Sequence, residues 1–469
     1  MDAIERKTET WGSRFGFIMA AIGSSVGLGN FWRFPYTAGE NGGGAFIAIY
    51  LVCALAIGLP LLVAEYSIGR KSGMSAIEGV QTMAKEAGRS QYWGIATWVG
   101  SMTAFFILTF YMVISVWILA FMLQAAQGLF SEITAEESFD NFGRTVSNRF
   151  YMMSLLFLFI SANILIVGRG VKAGIERAAT ILMPAFFFML VGIVIYSVIN
   201  GDFAKTAAFL FEPKWEDVGF KTFLSALGQA FFSIGVGVGL MVTYGAYLSR
   251  DTNIPRSSGL IVGADTLVAL IAGFAVFPIV FAAGLDPAGG PGLFFVSMPV
   301  AFGSIAGGSM FATVFFALAL FAALTSSISL MEVSVSWLEE RHGVTRAGAS
   351  VGIGFVLFMI GAGYVASSNY SNGTLTTEYL DFVDFMTEGL LLPLGGLLIA
   401  IFAGWVIPRQ SFQSEISEGL FMSLWRLTIR WIVPVFIAVV LFFGFLDKVQ
   451  DQYGVPLPAF LQAFLGPNS

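Results

Sequence analysis

The chain has 469 residues, of which 57% are hydrophobic and 12% charged, and a formal charge of −6. Soluble domains carry about 25% charged residues, so a mean hydropathy of +0.80 describes a surface built for lipid. One Cys (Cys53) and one His (His342) exclude an intrachain disulfide, a Cys/His zinc centre and a His-centred triad. The charge shows no basic stripe, which argues against a nucleic-acid partner.

From the N-terminus, Met1 to Thr10 is polar, so no cleavable signal peptide is expected and the first apolar segment should itself be an anchor. A helix needs roughly 20 apolar residues to cross a bilayer. Eleven segments meet that measure: 14–37, 43–70, 92–126, 149–167, 171–199, 222–248, 257–285, 309–341, 346–365, 378–408 and 418–446. The predicted class is an all-α membrane protein with about 11 transmembrane helices in a single domain over 1–446. Cys53 falls in an apolar run as a packing residue, and His342 at a solvated helix end. The Pro- and Gly-rich stretch 286–308 reads as a re-entrant or surface helix, and the tail 447–469 is too broken by prolines to cross. Most of the 24 Lys and Arg fall on one side if the N-terminus is cytoplasmic, as the positive-inside rule requires. Short termini and eleven spans suit a bacterial inner-membrane protein. Nothing in the sequence sets an oligomeric state.

Two segments are poor rods. The first contains Gly23, Gly27, Gly29 and Asn30 before Arg33-Phe34-Pro35, and the sixth contains Gly235, Gly237 and Gly239. Each glycine costs a helix up to ~1 kcal/mol against Ala. Five segments separate the breaks, as in a 5+5 inverted repeat (14–199 and 222–408) with discontinuous helices 1 and 6, followed by helix 11 (418–446). Backbone unwound at membrane depth is tolerated where it lines a site. Freed N–H groups suit a carboxylate, and freed carbonyls suit Na⁺ or an ammonium. Paired breaks therefore point to a zwitterion with a cation.

Five motifs carry a family resemblance: Trp11-Gly12-Ser13-Arg14, Gly27-Leu28-Gly29-Asn30-Phe31-Trp32-Arg33-Phe34-Pro35, Glu40-Asn41-Gly42-Gly43-Gly44-Ala45-Phe46, Gln229-Ala230-Phe231-Phe232-Ser233 and Leu324-Thr325-Ser326-Ser327. Across essentially its whole length the chain resembles the neurotransmitter:sodium symporters, whose bacterial members, such as the leucine transporter, carry amino acids.

The resemblance implies two sodium sites. The first takes the Ser25 carbonyl, Asn30, Ser233 and Asp265 with the substrate carboxylate. The second takes carbonyls of Gly23, Val26 and Ala322 with the hydroxyls of Thr325 and Ser326. Neutral oxygens suit a hard monovalent ion. Taken alone, Thr325 to Ser327 would read as ordinary back-bonding to helix carbonyls. Many relatives have Asn at Asp265, and chloride-dependent ones place a Ser where Ala269 stands. Tyr50, Gln229 and Ser233 match the rest of the halide site. Asp265 is therefore expected to supply the fixed negative charge, with no chloride requirement.

By the same matching, the Leu28 and Gly29 amides and the Tyr111 hydroxyl hold a carboxylate, while carbonyls of Ser25, Phe232 and Ser233 hold an ammonium. Ile107, Phe232, Val238 and Leu330 line the side-chain pocket, with Ser24 and Ser327 beside it and Gly235 leaving space. No charged partner lies there, so hydrophobic substrates are expected, aromatic or leucine-sized. Arg33 is expected to gate against Asp384 with Gln229 nearby, above a lid of Tyr111 and Phe232. At the inner gate Trp11 and Tyr247 are expected with Glu340 as the acid. The position three before Trp11 holds Thr8, where the family has Arg. Glu65 should cap freed amides.

The activity implied is Na⁺-coupled symport of neutral amino acids. A channel or amino-acid-gated receptor on the same fold is the rival from another class. An enzyme lacks support: no GxSxG elbow, HExxH or phosphate loop is present.

Overall fold

The computed structural model describes residues 9–285, 292–368, 370–371, 374–375, 378–416 and 418–453. Among these, nine continuous helices are long and apolar enough to cross a membrane. We number them with the two interrupted segments in chain order: α2 Gly44–Ser72, α3 Gln91–Ala126, α4 Arg149–Val167, α5 Val171–Asn200, α7 Ile254–Ala282, α8 Gly308–His342, α9 Arg346–Ser367, α10 Tyr379–Val406 and α11 Leu420–Leu446. The first interrupted segment is α1a (Arg14–Ser25), then a wide turn, Gly29–Arg33, running into α1b (Phe34–Glu40). The sixth is α6a (Phe220–Ile234) and α6b (Leu240–Ala246). Nine continuous and two interrupted helices give the eleven crossings expected.

Among the described residues the regular structure is helical apart from two short antiparallel strands that pair Tyr370 with Leu375 and Ser371 with Thr374. The stretch expected to be re-entrant contains a short apolar helix, Leu293–Gly303. Phe294 and Phe302 pack on Phe315 of α8, and the helix is too short to cross a bilayer. Residues 286–291 lie outside the described residues. The last helix runs on to Tyr453, beyond the expected end at 446, and 454–469 lie outside the described residues. Cys53 is buried. His342 ends α8, exposed, edge-on to Trp337.

α3 and α8 lie along each other and are the most enclosed helices, with α4 and α9 paired outside them and α5 against α7. α6b packs on α2 with backbone in contact. A Cβ on Gly69 would fall 2.0 Å from the Val242 carbonyl oxygen, and one on Gly245 would fall 2.8 Å from that of Tyr66. Side chains at those glycines would force α2 and α6b apart.

Candidate functional site

The two breaks face each other. α1a stops at Val26, whose ψ of 96° leaves the helical region. Gly27 follows, where a Cβ would meet Ser326 Oγ at 2.8 Å and Tyr111 Oη at 2.9 Å. Asn30 recloses the chain by accepting from the Gly27 amide at 3.1 Å. In the sixth segment Gly235, Gly237 and Gly239 have φ of +73°, +84° and +75°, a left-handed backbone that glycine adopts without penalty. This unwound strand is clamped: Cβ atoms on Gly100 of α3 and Gly395 of α10 would lie 2.8 and 2.1 Å from the Gly237 carbonyl oxygen. The freed Gly237 amide donates to Glu65 Oε1 at 2.6 Å, the capping role expected of Glu65. Ser25 Oγ ties the breaks together by donating to the Ile234 carbonyl at 3.1 Å.

Between the breaks lies a cavity lined by Ser24, Ser25, Gly27, Leu28, Gly29, Ile107, Tyr111, Phe232, Gly235, Val238, Leu240, Ser326, Leu330 and Leu392. It offers about 40 Å³ to the centres of water-sized molecules, against roughly 10–15 Å³ for one water. The Leu28 amide donates to Tyr111 Oη at 3.2 Å, so the donors expected to hold a carboxylate converge at one end. Leu240 and Leu392 add apolar wall that the sequence reading did not name. Ser233, expected at the substrate through its carbonyl, and Ser327, expected beside the pocket, turn their hydroxyls away from the cavity. Ser233 Oγ donates to Asp265 Oδ2 at 2.7 Å. Ser327 Oγ donates to Asn163 Oδ1 at 2.8 Å and to the Leu324 carbonyl at 3.0 Å, because its side of α8 faces α4.

Beside the cavity Asp265, fully buried, forms a compact oxygen cluster. Asn30 Nδ2 donates to Asp265 Oδ1 at 2.9 Å, to its carbonyl at 3.0 Å and to Ser233 Oγ at 3.3 Å. Tyr50 Oη donates to Oδ2 at 3.5 Å. Gln229 Nε2 donates to the Gly29 carbonyl at 3.0 Å, and its Oε1 is buried without a partner among the described residues. On the far side of α1a, Ser326 Oγ donates to the Gly23 carbonyl at 3.4 Å. Thr325 Oγ1 back-bonds to the carbonyls of Phe321 and Ala322, each at 3.0 Å. Gly23 lies against Thr325, a Cβ there falling 3.1 Å from the Thr325 Cβ. Of the residues expected at the first sodium site, Asn30, Ser233 and Asp265 meet in one cluster, with the Asn30 amide nitrogen turned to the carboxylate; of the second, Thr325 and Ser326 lie against Gly23. Among the described residues no three His, Cys, Asp or Glu cluster as transition-metal ligands do.

The closures differ from expectation at both ends. Arg33 Nη1 meets Glu388 Oε1 at 2.5 Å, not Asp384, and the guanidinium lies 5.2 Å over the Phe232 ring. Glu388 is four residues beyond Asp384 on α10, where a wide turn at Thr387–Leu391 carries the next acid onto Arg33. At the other end Trp11 Nε1 donates to the Tyr244 carbonyl at 3.2 Å, with ring centroids 5.0 Å from Tyr244 and 6.2 Å from Tyr247. Among the described residues Glu340 meets neither Trp11 nor Tyr247: its carboxylate accepts from the Ser75 amide at 2.6 Å, at the start of helix Ala76–Glu86. The acid in place is Glu332, fully buried, which accepts from Tyr247 Oη at 2.6 Å and pairs with Arg346. Arg346 also meets Glu339 at 3.2 Å and Glu9 at 3.9 Å. Thr8 lies outside the described residues, as do Arg6 and Lys7, the basic residues that could stand in for the family's Arg. An acid in the middle of an apolar span marks a functional position by default, a signal that Glu332 gave in the sequence.

The description "sodium:neurotransmitter symporter family" belongs to the family model that matches residues 8–137 and 132–464. The sodium-dependent transporter YhdH of Bacillus subtilis is 36% identical over 93% of this chain and 97% of its own. A sodium-dependent transporter of Haemophilus influenzae is 31% identical over 94% and 99%. The crystal structure of MhsT in complex with L-phenylalanine superposes with a TM-score of 0.84 at 38% identity, covering 93% of this chain and 99% of that one. On these grounds the multi-pass, broken-helix protein described above belongs to the sodium:neurotransmitter symporter family.

Proposed function

We propose that the chain is a sodium-coupled symporter of neutral, hydrophobic L-amino acids, working by alternating access with its N-terminus cytoplasmic and without a chloride requirement. The observation that carries the substrate class is the cavity wall. Ile107, Val238, Leu240, Leu330, Leu392 and Phe232 surround it, and no ionisable acid or base lines it. A charged substrate side chain would be buried there unpaired, at large cost. The Leu28 and Gly29 amides with Tyr111 suit the carboxylate, and the carbonyls freed at both breaks suit the ammonium. MhsT, with L-phenylalanine in its crystal, supports an aromatic side chain. Leucine-sized substrates are the second reading, favoured by the aliphatic Ile107, Leu330 and Leu392.

Two sodium ions are the co-transported cargo in this reading, one at Asn30, Ser233 and Asp265 and one at Gly23, Ala322, Thr325 and Ser326. Sodium and substrate share contacts at the first site, so each raises the other's affinity by the same factor. Each net charge moved inward at −100 mV contributes about 2.3 kcal/mol. The repeats 14–199 and 222–408 supply the moving parts. α6b and α2, locked at Gly69 and Gly245, move together with α1 and α7.

Asp265 supplies the negative charge that chloride would bring. Asp265→Asn tests this. It removes the charge and keeps the shape, so uptake in chloride-free buffer should fall about tenfold or more, the scale of one hydrogen bond to a buried charged group, and chloride should restore part of it. Full chloride-free uptake by the variant would sink the chloride claim while leaving the sodium claim intact.

A further inference from the structure

At the arginine-rich end of the molecule α10 and α11 meet backbone to backbone. A Cβ on Gly404 would lie 2.9 Å from Arg430 Cα and 3.0 Å from the Ile429 carbonyl oxygen. The contact brings Trp405 beside Arg430: Trp405 Nε1 donates to the Arg430 carbonyl at 2.8 Å. Trp405 and Trp431 meet edge-on with centroids 4.5 Å apart. The Arg430 guanidinium lies 4.3 Å from the first ring and 5.8 Å from the second. Both rings are outward, 44% and 52% exposed, on helices that also present Leu424 and Leu427, so this surface faces lipid.

Neighbouring arginines are spent on protein acceptors. Arg426 donates to the carbonyls of Ala403 at 2.5 Å and Ile407 at 3.0 Å, and Arg409 pairs with Glu418 at 2.9 Å. Both lie within electrostatic reach of one another, and Arg426 within reach of Arg430. Arg430 has no ion pair or side-chain hydrogen bond among the described residues, and its Nε is buried without an acceptor. A guanidinium packed against a pair of indoles, beside further positive charge, at the edge of an apolar span has no anionic partner among the described residues. Its planar fork fits a phosphate bidentately. Tryptophans belong at the headgroup level, and basic pockets between membrane helices on the cytoplasmic side take anionic headgroups.

We propose that Arg430, packed against the Trp405–Trp431 pair, seats the phosphate of an anionic phospholipid in the groove between α10 and α11. Placing that lipid in the cytoplasmic leaflet rests on the orientation read above; recognition of the headgroup does not. The site is separate from the transport cavity, and a lipid bound there braces the α10–α11 joint.

The test is native mass spectrometry of the delipidated full chain, titrated with phosphatidylglycerol, phosphatidylcholine or inorganic phosphate, with thermal unfolding in parallel. Phosphatidylglycerol should bind and raise the unfolding midpoint above that with phosphatidylcholine. Arg430→Gln should bind it about fivefold more weakly, with phosphatidylcholine binding unchanged. Trp431→Leu, which keeps the charge and an apolar surface, should weaken it less, and decides the matter if Arg430→Gln fails to fold. Equal phosphatidylglycerol binding by the wild type and the folded variants would overturn the proposal. Inorganic phosphate that displaces the lipid and stabilises the protein alone would overturn the lipid assignment and leave a site for free phosphate.

Discussion

The two ends of the cavity are closed by very different amounts of structure. At the Arg33 end, among the described residues, the ion pair with Glu388 and the Phe232 ring cover it, and Arg33 is still 26% exposed. At the Trp11 end the closure is layered. Trp11 is wedged on Tyr244 and Tyr247, Tyr247 is bonded to Glu332, and Glu332 is paired with Arg346. Outside that layer Arg70 binds Glu415 at 2.5 Å and also holds the Thr252 carbonyl. Gly12 and Ser13 are held by Glu176 at 2.6 and 2.8 Å. Part-exposed ion pairs contribute little, about 0–1 kcal/mol, whereas a buried pair broken on one side costs about 3–5 kcal/mol. If transport proceeds by the alternating access proposed above, the slower end to open is the Trp11 end, where a buried network joining α1, α2, α5, α6, α8 and α9 must be undone.

Substitutions can break or sharpen this contrast. Arg346→Ala has the largest expected effect, because it strands Glu332 in the bundle. It should lower stability by about 3–5 kcal/mol, read as a lower unfolding midpoint, with faster hydrogen exchange at residues 9–13. Tyr247→Phe removes one hydrogen bond to a charged acceptor, worth about 1.5–3 kcal/mol, and should raise exchange at the same residues less. Glu388→Gln at the opposite end should change stability by about 1 kcal/mol or less while speeding substrate release, measured by washout of bound amino acid. Asp384→Asn should speed release less than Glu388→Gln. The reverse order would return the gate to Asp384.

Much of this was legible in the sequence because membrane depth makes exceptions conspicuous. Glycines at 23, 27 and 29 and at 235, 237 and 239 interrupt apolar segments, and both sets fall at breaks. Asp265, an acid inside a span, lies at the centre of the oxygen cluster. What escaped is what depends on register or on distant partners. Asp384 and Glu388 share a helix face in sequence, and only the wide turn at Thr387–Leu391 decides which meets Arg33. Glu340 and Glu332 are eight residues apart on α8, and their roles depend on where the helix Ala76–Glu86 and Arg346 come to rest. Ser327 carries a family motif, yet the rotation of α8 turns it toward Asn163. Leu392 lines the cavity through the backbone contact of α10 with Gly237, which no local pattern announces.

The measurement that tests the central claim most directly is uptake of radiolabelled phenylalanine and leucine into proteoliposomes, with an inward Na⁺ gradient compared against K⁺, in chloride-free buffer. The account predicts concentrative uptake with Na⁺ alone, abolished by K⁺ replacement, with the preferred label sizing the pocket. Uptake of neither label under a Na⁺ gradient, with or without chloride, would contradict it.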